Sequence, residues 1–248
     1  MKIILVDSSM IFVPTIKVAN KIKMENAKSG KPGFVMPAHA MYFNSLLSCL
    51  SKIGIESEDK ILILEEGRSW RKDYADFYKA QRQQLRDKDT FTDWKKEFEN
   101  INKLHSQLKE STNFYFLRNQ NLESDDLISI ASRYFKNNEI IIISGDADLK
   151  MLCYYANVKY FNTNKKINQT KGCYEAITKE QAIKILNEKI RKGDKGDNII
   201  PSPTDTQEDF DLRLLLVDLL NLPEEIEKTG IQTIEEALKE KKELHLER

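Results

Sequence analysis

Glu139-Ile140-Ile141-Ile142-Ile143-Ser144-Gly145-Asp146-Ala147-Asp148 is the stretch whose reading decides the fold. Four consecutive isoleucines leave no polar face, so the segment reads as a strand buried on both sides, as in a parallel sheet covered by helices. The run then stops at two carboxylates. Alternation in an extended segment points Asp146 and Asp148 the same way. The pattern recurs at Ile3-Ile4-Leu5-Val6 before Asp7 and at Ile61-Leu62-Ile63-Leu64 before Glu65-Glu66, and Val158-Lys159-Tyr160-Phe161 adds a fourth strand. Between these runs the apolar spacing turns helical. Met36 to Ile53 carries Ala40, Phe43, Leu46, Leu47, Leu50 and Ile53, and Leu122 to Phe135 carries Leu127, Ile130, Ala131 and Tyr134. Strand–helix alternation predicts an α/β fold, a mostly parallel central sheet flanked by helices with right-handed crossovers.

The rest of the chain narrows the function classes. With 248 residues, 40% hydrophobic and 31% charged, there is chain enough for a buried core and no sign of disorder. No window approaches a membrane span, and the four apolar residues before Asp7 read as a strand, not a signal peptide. Cys49, Cys153 and Cys173 lack metal-type spacing and fit buried thiols in a reducing, cytoplasmic setting. His39, His105 and His245 are scattered, which disfavours zinc hydrolysis and histidine-activated nucleophiles, and no phosphate-cradling Gly-rich loop is present. The 39 basic and 39 acidic residues cancel, but not locally. Arg68 to Lys88 holds seven Lys/Arg against three Asp, whereas Asp205 onward holds thirteen acids against six bases. A polyanion partner is therefore compatible with zero net charge.

Residues 1–200 read as one α/β domain, with 67–90 a basic insertion over the sheet edge, sparse in aliphatics and expected to be mobile without a ligand. A helix is expected from Thr92 to Leu108. Residues 201–248 form an acidic helical region, with a short apolar helix over Leu212 to Leu222 and an exposed one over Thr233 to Leu246.

In an α/β sheet, residues just past the carboxyl ends of the strands share one crevice. Asp7, Glu65 and Asp146 hold that position, with Asp148 beside the last. Glu123-Ser124-Asp125-Asp126 opens the helix before the isoleucine strand, and Gly193-Asp194-Lys195-Gly196-Asp197-Asn198 adds two further acids. Each alone reads as a cap or a loop acid. Together they would repel and partly protonate unless divalent cations neutralise them, and all-oxygen ligation points to Mg²⁺ or Mn²⁺.

The ordered set Asp7, Glu65, Trp70-Arg71-Lys72-Asp73, Tyr78-Lys79-x-x-Arg82, Glu123-x-Asp125-Asp126, Asp146-x-Asp148 and Asp194-x-x-Asp197-Asn198 resembles the flap endonuclease/5′-3′ exonuclease family, in particular its bacteriophage RNase H-like branch. The resemblance implies a PIN/5′ nuclease-like fold with a helical arch insertion. It further implies a two-metal hydrolysis of DNA flaps, 5′ ends or RNA primers, with two Mg²⁺ ions that Mn²⁺ can replace. On that reading Asp7, Glu123, Asp125, Asp146 and Asp148 serve the first metal, and Asp126, Asp194 and Asp197 the second. Glu65 stands where the family has Asp, and a one-residue shift would put Glu66 there instead. Lys79 and Arg82 grip the scissile phosphate, Tyr78 stacks on a displaced base, and Arg68, Arg71, Lys72 and Arg86 meet nucleic acid. Implied partners are DNA or RNA–DNA with a 5′ flap or 5′ end, with a single-strand-binding protein or a polymerase as protein partner to a monomeric enzyme. The setting implied is the cytoplasm of a bacterium or of a phage-infected host. After Asn198 the chain departs from the family: Ile199-Ile200-Pro201-Ser202-Pro203 lacks the glycines of a helix–hairpin–helix. A PIN-type ribonuclease and a catalytically impaired nucleic-acid binder are the competing readings.

Overall fold

The computed structural model describes residues 1–30, 33–164 and 173–240. Five parallel strands and one short antiparallel edge strand make a single sheet in the order β3-β2-β1-β4-β5-β6. The strands are β1 (Lys2–Asp7), β2 (Lys60–Leu64), β3 (Tyr115–Leu117), β4 (Glu139–Ser144), β5 (Val158–Asn162) and β6 (Tyr174–Glu175). The helices are α1 (Ser8–Ser29), α2 (Ala38–Ile53), α3 (Ala80–Lys88), α4 (Trp94–Ser111), α5 (Ser124–Tyr134), α6 (Lys179–Lys192), α7 (Gln207–Val217) and α8 (Glu224–Lys239). Among the described residues no helix is long and apolar enough to cross a membrane.

The continuous apolar runs are explained by what covers each face. Ile3, Leu5, Leu62, Leu64, Ile140 and Ile142 pack with Leu127, Ile128, Ala131 of α5 and Ile234 of α8. Ile4, Val6, Ile61, Ile63, Ile141 and Ile143 pack on the other side with α1, α2 and Ile101 of α4. Each strand residue thus has a partner layer, which is why no polar alternation appears. Cys49, Cys153 and Cys173 are buried among these apolar side chains. Burial pushes the Cys49 and Cys153 thiols up to about 11, so both behave as small hydrophobes.

Three expectations need correction. The final helix starts at Glu224, not Thr233, and is packed rather than exposed. Ile234 is fully buried and Gly230 lies against Ile130 of α5; the end of the expected segment, beyond residue 240, lies outside the described residues. The helix expected over Leu212 to Leu222 is shifted back to Gln207–Val217 because Thr206 caps it through the Asp209 N–H. Finally, the basic insertion is only half exposed. Trp70, Arg71, Ala75 and Tyr78 are buried, the last two in a cluster with Ile190, Ile199, Leu216 and Val217. Its outer half, α3, has no buried residue among those described.

Candidate active site

Strand parity selects which acids meet. Counting by two from the α5-covered positions Ile3 and Leu5 reaches Asp7; from Leu62 and Leu64 it reaches Glu66; from Ile140 and Ile142 it reaches Ser144 and then Asp146. These side chains emerge beside the first turn of α5, which supplies Ser124 and Asp125. The result is a cleft of about 270 Å³ lined by Ser9, Glu66, Lys79, Arg82, Ser124, Asp125, Asp146, Asp148, Asp194 and Asp197.

The expectation for Glu65 is therefore corrected. Its backbone N–H still bonds Leu117 O at 2.9 Å, so the chain remains extended one residue past β2 and the Glu65 side chain falls on the opposite face. There it meets His105 Nδ1 of α4, whose Nε2 lies 3.1 Å from the Tyr42 hydroxyl. Glu66 is the residue that opens into the cleft, its carboxylate accepting Ser124 Oγ–H at 2.8 Å. Enclosure by protein on its other sides and the nearby Glu123 charge push its carboxyl above the usual range. Gly67 permits this turn. A Cβ there would lie 2.0 Å from Asn119 O and 2.4 Å from Leu122 O, both backbone atoms that cannot yield. Gly67→Ala is expected to cost about 1–3 kcal/mol and to lower Tm by several degrees in a thermal melt; an unaltered Tm would contradict this packing.

Asp7 sits at the root of the cleft, fully buried, accepting hydrogen bonds from Ser144 Oγ at 2.9 Å and Ser9 Oγ at 3.0 Å. Burial raises its pKa to about 6 against the pull of those hydroxyls, with Glu66 and Asp146 adding repulsion. Asp125 is held well above the usual carboxylate range by burial and by the charges of Asp7 and Asp146. Asp148 rises to about 6 through burial and Asp146, Lys189 opposing. Carboxylate oxygens of Asp148, Asp194 and Asp197 lie within 4.8 Å of one another, a grouping compatible with an ion. All-oxygen donors crowded as Asp7, Asp125 and Asp148 are, their carboxyls raised by burial and mutual repulsion, fit hard divalent cations.

The other acids are engaged differently. Glu123 accepts from Ser69 Oγ at 2.5 Å, Arg71 Nη1 at 3.0 Å and Lys79 Nζ at 2.6 Å. Burial alone would raise its carboxyl, but Lys79 and Arg71 outweigh it and hold it below the usual range. Asp126, expected at a second metal, is turned away from the cleft. It is fully buried, 2.8 Å from Arg71 Nη1 and 3.1 Å from the Trp70 indole nitrogen, and it caps α5 at the Glu123 N–H. Arg71 is likewise corrected. Only 2% exposed, it bridges Glu123, Asp126 and, through Nε, the Leu216 carbonyl at 2.8 Å, so it cannot reach nucleic acid. Tyr78 is not open for stacking. Buried, its hydroxyl lies 3.3 Å from Glu123 and 3.2 Å from Asp197, donating its one proton to either.

Lys79 and Arg82 do line the cleft. Lys79 takes a left-handed backbone (φ 54°), which a lysine seldom adopts, and its N–H bonds Asp197 O at 3.0 Å. That geometry sends its ammonium inward while α3 departs outward. Arg82 Nη2 pairs with Asp197 at 2.6 Å. Arg68, Lys72 and Arg86 are exposed around them, Arg68 pairing with Asp73. Sequence reasoning missed Lys189, whose ammonium from α6 pairs with both Asp148 and Asp194. The only signal was its place in the last turn before Gly193-Asp194.

Residues 2–184 match the family model described as 5′-3′ exonuclease, N-terminal resolvase-like domain. The chain belongs to this 5′-3′ exonuclease family. It is 32% identical over 143 residues to Ribonuclease H of Enterobacteria phage T4, a match covering 56% of this chain and 45% of that protein. It is 27% identical over 161 residues to the 5′-3′ exonuclease of Mycoplasmopsis pulmonis (strain UAB CTIP), covering 64% and 50% respectively. The matches thus span about half the length of these curated relatives. Among solved structures, the bacteriophage T5 D15 protein co-crystallized with metal ions superposes with a TM-score of 0.63 at 16% identity, over 96% of this chain and 99% of that one. The T5 D15 flap endonuclease in complex with DNA and metal ions gives 0.62 at 17%, with the same coverage. At that identity the likeness establishes the fold, and it agrees with the mostly parallel sheet flanked by helices.

Proposed function

We propose that this protein is a divalent-metal-dependent 5′ nuclease that hydrolyses phosphodiesters at DNA flaps, 5′ ends or RNA primers. The observation that carries this reading is the uncompensated part of the cleft. Among the described residues Asp7, Glu66, Asp125 and Asp146 form no ion pair with a lysine or arginine, although Glu66, Asp125 and Asp146 line one cavity and the buried Asp7 lies close enough to repel all three. Acids crowded together in such excess are held by hard cations. Asp7, Glu66, Asp125, Asp146 and Asp148 would hold one Mg²⁺, directly or through water, and Asp148, Asp194 and Asp197 a second, with Mn²⁺ as substitute. Bound ions of this kind activate water and neutralise charge on the phosphate and the leaving oxygen.

The chain's own side chains supply the rest. Lys79 and Arg82 face the acids across the cavity and stabilise the negative charge that develops on the phosphate. Glu123, itself anchored by Arg71 and Ser69, keeps the Lys79 ammonium aimed inward. Arg68, Lys72 and Arg86 present exposed charge to the nucleic-acid backbone. That the T5 neighbour with this fold is recorded with DNA and metal ions supports the substrate class.

The test is product mapping on an end-labelled 5′-flap duplex and a blunt duplex, with Mg²⁺ and with EDTA. Short 5′ products are expected with Mg²⁺ and none in EDTA. Intact flap and blunt substrates in both Mg²⁺ and Mn²⁺ would overturn the reading. The same assay ranks the two neighbouring acids: Glu66→Gln is expected to slow cleavage at least tenfold more than Glu65→Gln, since only Glu66 opens into the cleft. The opposite ranking would return the role to Glu65.

A further inference from the structure

The acids of the cleft fall into two unequal halves. Asp7, Glu66, Asp125 and Asp146 have no ion-paired base among the described residues. The Asp148–Asp194–Asp197 group is already faced by three cations, Lys189 on Asp148 and Asp194, Arg82 on Asp197, and Lys79 at 3.9 Å from Asp197. Arg82 is attached to the group's rim, with 42% of its side chain exposed. The Lys189 side chain is only 16% exposed and stands between two of the three carboxylates. An ammonium carries one charge and three donors, enough to hold two carboxylates together but not to saturate three. Lys189 holds the Oδ2 atom of both Asp148 and Asp194, so a divalent ion between these carboxylates would share their charge with the ammonium and be repelled by it.

Resting on the nuclease reading above, we propose that Lys189 is a built-in counter-cation that competes with a divalent ion for the Asp148–Asp194–Asp197 position. It holds these acids in place while the position is free of metal, and by pre-neutralising them it makes this the weaker and more exchangeable of the two ion positions. Lys189 is thus a positioning residue that sets the cation concentration at which the second position fills. Its side chain keeps some exposure, at 16%, and lines a small recess with Asp148 and Asp197, so the ammonium is a side-chain contact of this position and no part of the α6 backbone.

Calorimetric titration of the full chain with Mn²⁺, at fixed ionic strength and without nucleic acid, tests this. The wild-type protein is expected to show a tighter and a weaker ion, and Asp194→Asn should lose the weaker. Lys189→Met should tighten the weaker ion about tenfold, through loss of a nearby like charge, and leave the tighter one unchanged. Lys189→Arg should keep both wild-type affinities. In EDTA, Lys189→Met should melt lower than wild type and gain more from Mn²⁺. Lys189→Gln, which retains a hydrogen-bonding end, serves as a second neutral variant. Two ions in the wild type with a weaker ion unchanged or loosened in both neutral variants overturn this inference alone. Failure of the wild type to bind any Mn²⁺ overturns it together with the nuclease reading.

Discussion

Lys79→Ala is expected to slow single-turnover cleavage of a 5′-flap substrate by about 10²–10³-fold, the cost of removing one preorganised charge from a developing oxyanion. The expectation follows from where the ammonium is held. It is 10% exposed, 2.6 Å from Glu123 and 3.9 Å from Asp197, on a backbone whose left-handed turn fixes its direction. Burial works against the charge, but Glu123 dominates and keeps it protonated well above the usual lysine range, so it is a fixed cation through neutral pH. It forms no ion pair with Asp7, Asp125 or Asp146. Its loss should therefore leave the Mn²⁺-induced rise in Tm intact, while Asp148→Ala should change that rise directly. The pairing separates phosphate grip from ion holding. In EDTA, Asp148→Ala should bind DNA as well as wild type or better, because one charge repelling the backbone has gone. If Lys79→Ala cuts at the wild-type rate, Lys79 serves only as the structural counter-charge of Glu123, and Arg82 alone carries the electrophilic role.

The sheet and most of the acid set were legible because each depends on short-range pattern. Runs such as Ile140 to Ile143 have one structural reading, and Asp146 and Asp148 follow at fixed distance. Strands β3 and β6, three and two residues long, leave no run to detect. The choice between Glu65 and Glu66 was also available: counting by two from Leu62 and Leu64 reaches Glu66, whereas proximity to the end of the run favoured Glu65. What no local pattern carries is long-range pairing. Arg71 lies 52 residues from Glu123, and Lys189 lies 41 from Asp148. Both lysine and arginine read as surface charge until the fold places carboxylates around them. The same pairing explains Asp126 and Tyr78. The family resemblance implied a metal ligand and a stacking ring, but burial against Arg71 and Trp70, and against Glu123 and Asp197, gives them structural work.

The ion-free protein is expected to be more stable near pH 4.5 than at pH 7 as far as the cleft is concerned, and a saturating divalent ion should reverse that order. Asp7 carries the argument because it is fully buried and its pKa rises from 3.8 to about 6. A group whose folded pKa exceeds its unfolded one binds more protons in the native state between those two values. Its stabilising contribution is complete below about pH 3.8 and is lost as pH rises through about 6. At about 1.4 kcal/mol per pH unit, Asp7 alone costs the ion-free fold on the order of 3 kcal/mol at neutral pH. Asp148, also near 6, and Asp125, likewise raised, act in the same direction, though groups this close titrate jointly and their costs do not add. Glu123 and Asp194 oppose the trend. For both, burial is outweighed by a lysine, Lys79 for one and Lys189 for the other, so their pKa values lie below the ordinary range and their contribution fades on acidification. Divalent ions bind the deprotonated cluster of the native state only, so they stabilise by mass action and do so more strongly as pH rises. Thermal melts at pH 4.5, 5.5, 6.5 and 7.5, in EDTA and in millimolar Mn²⁺, therefore should diverge with increasing pH. The gap should shrink markedly in Asp7→Asn, which removes the most buried charge. Parallel curves with and without ion would mean that Asp7 is neutralised from within the fold, and that the crowding of its neighbours has no bearing on metal binding.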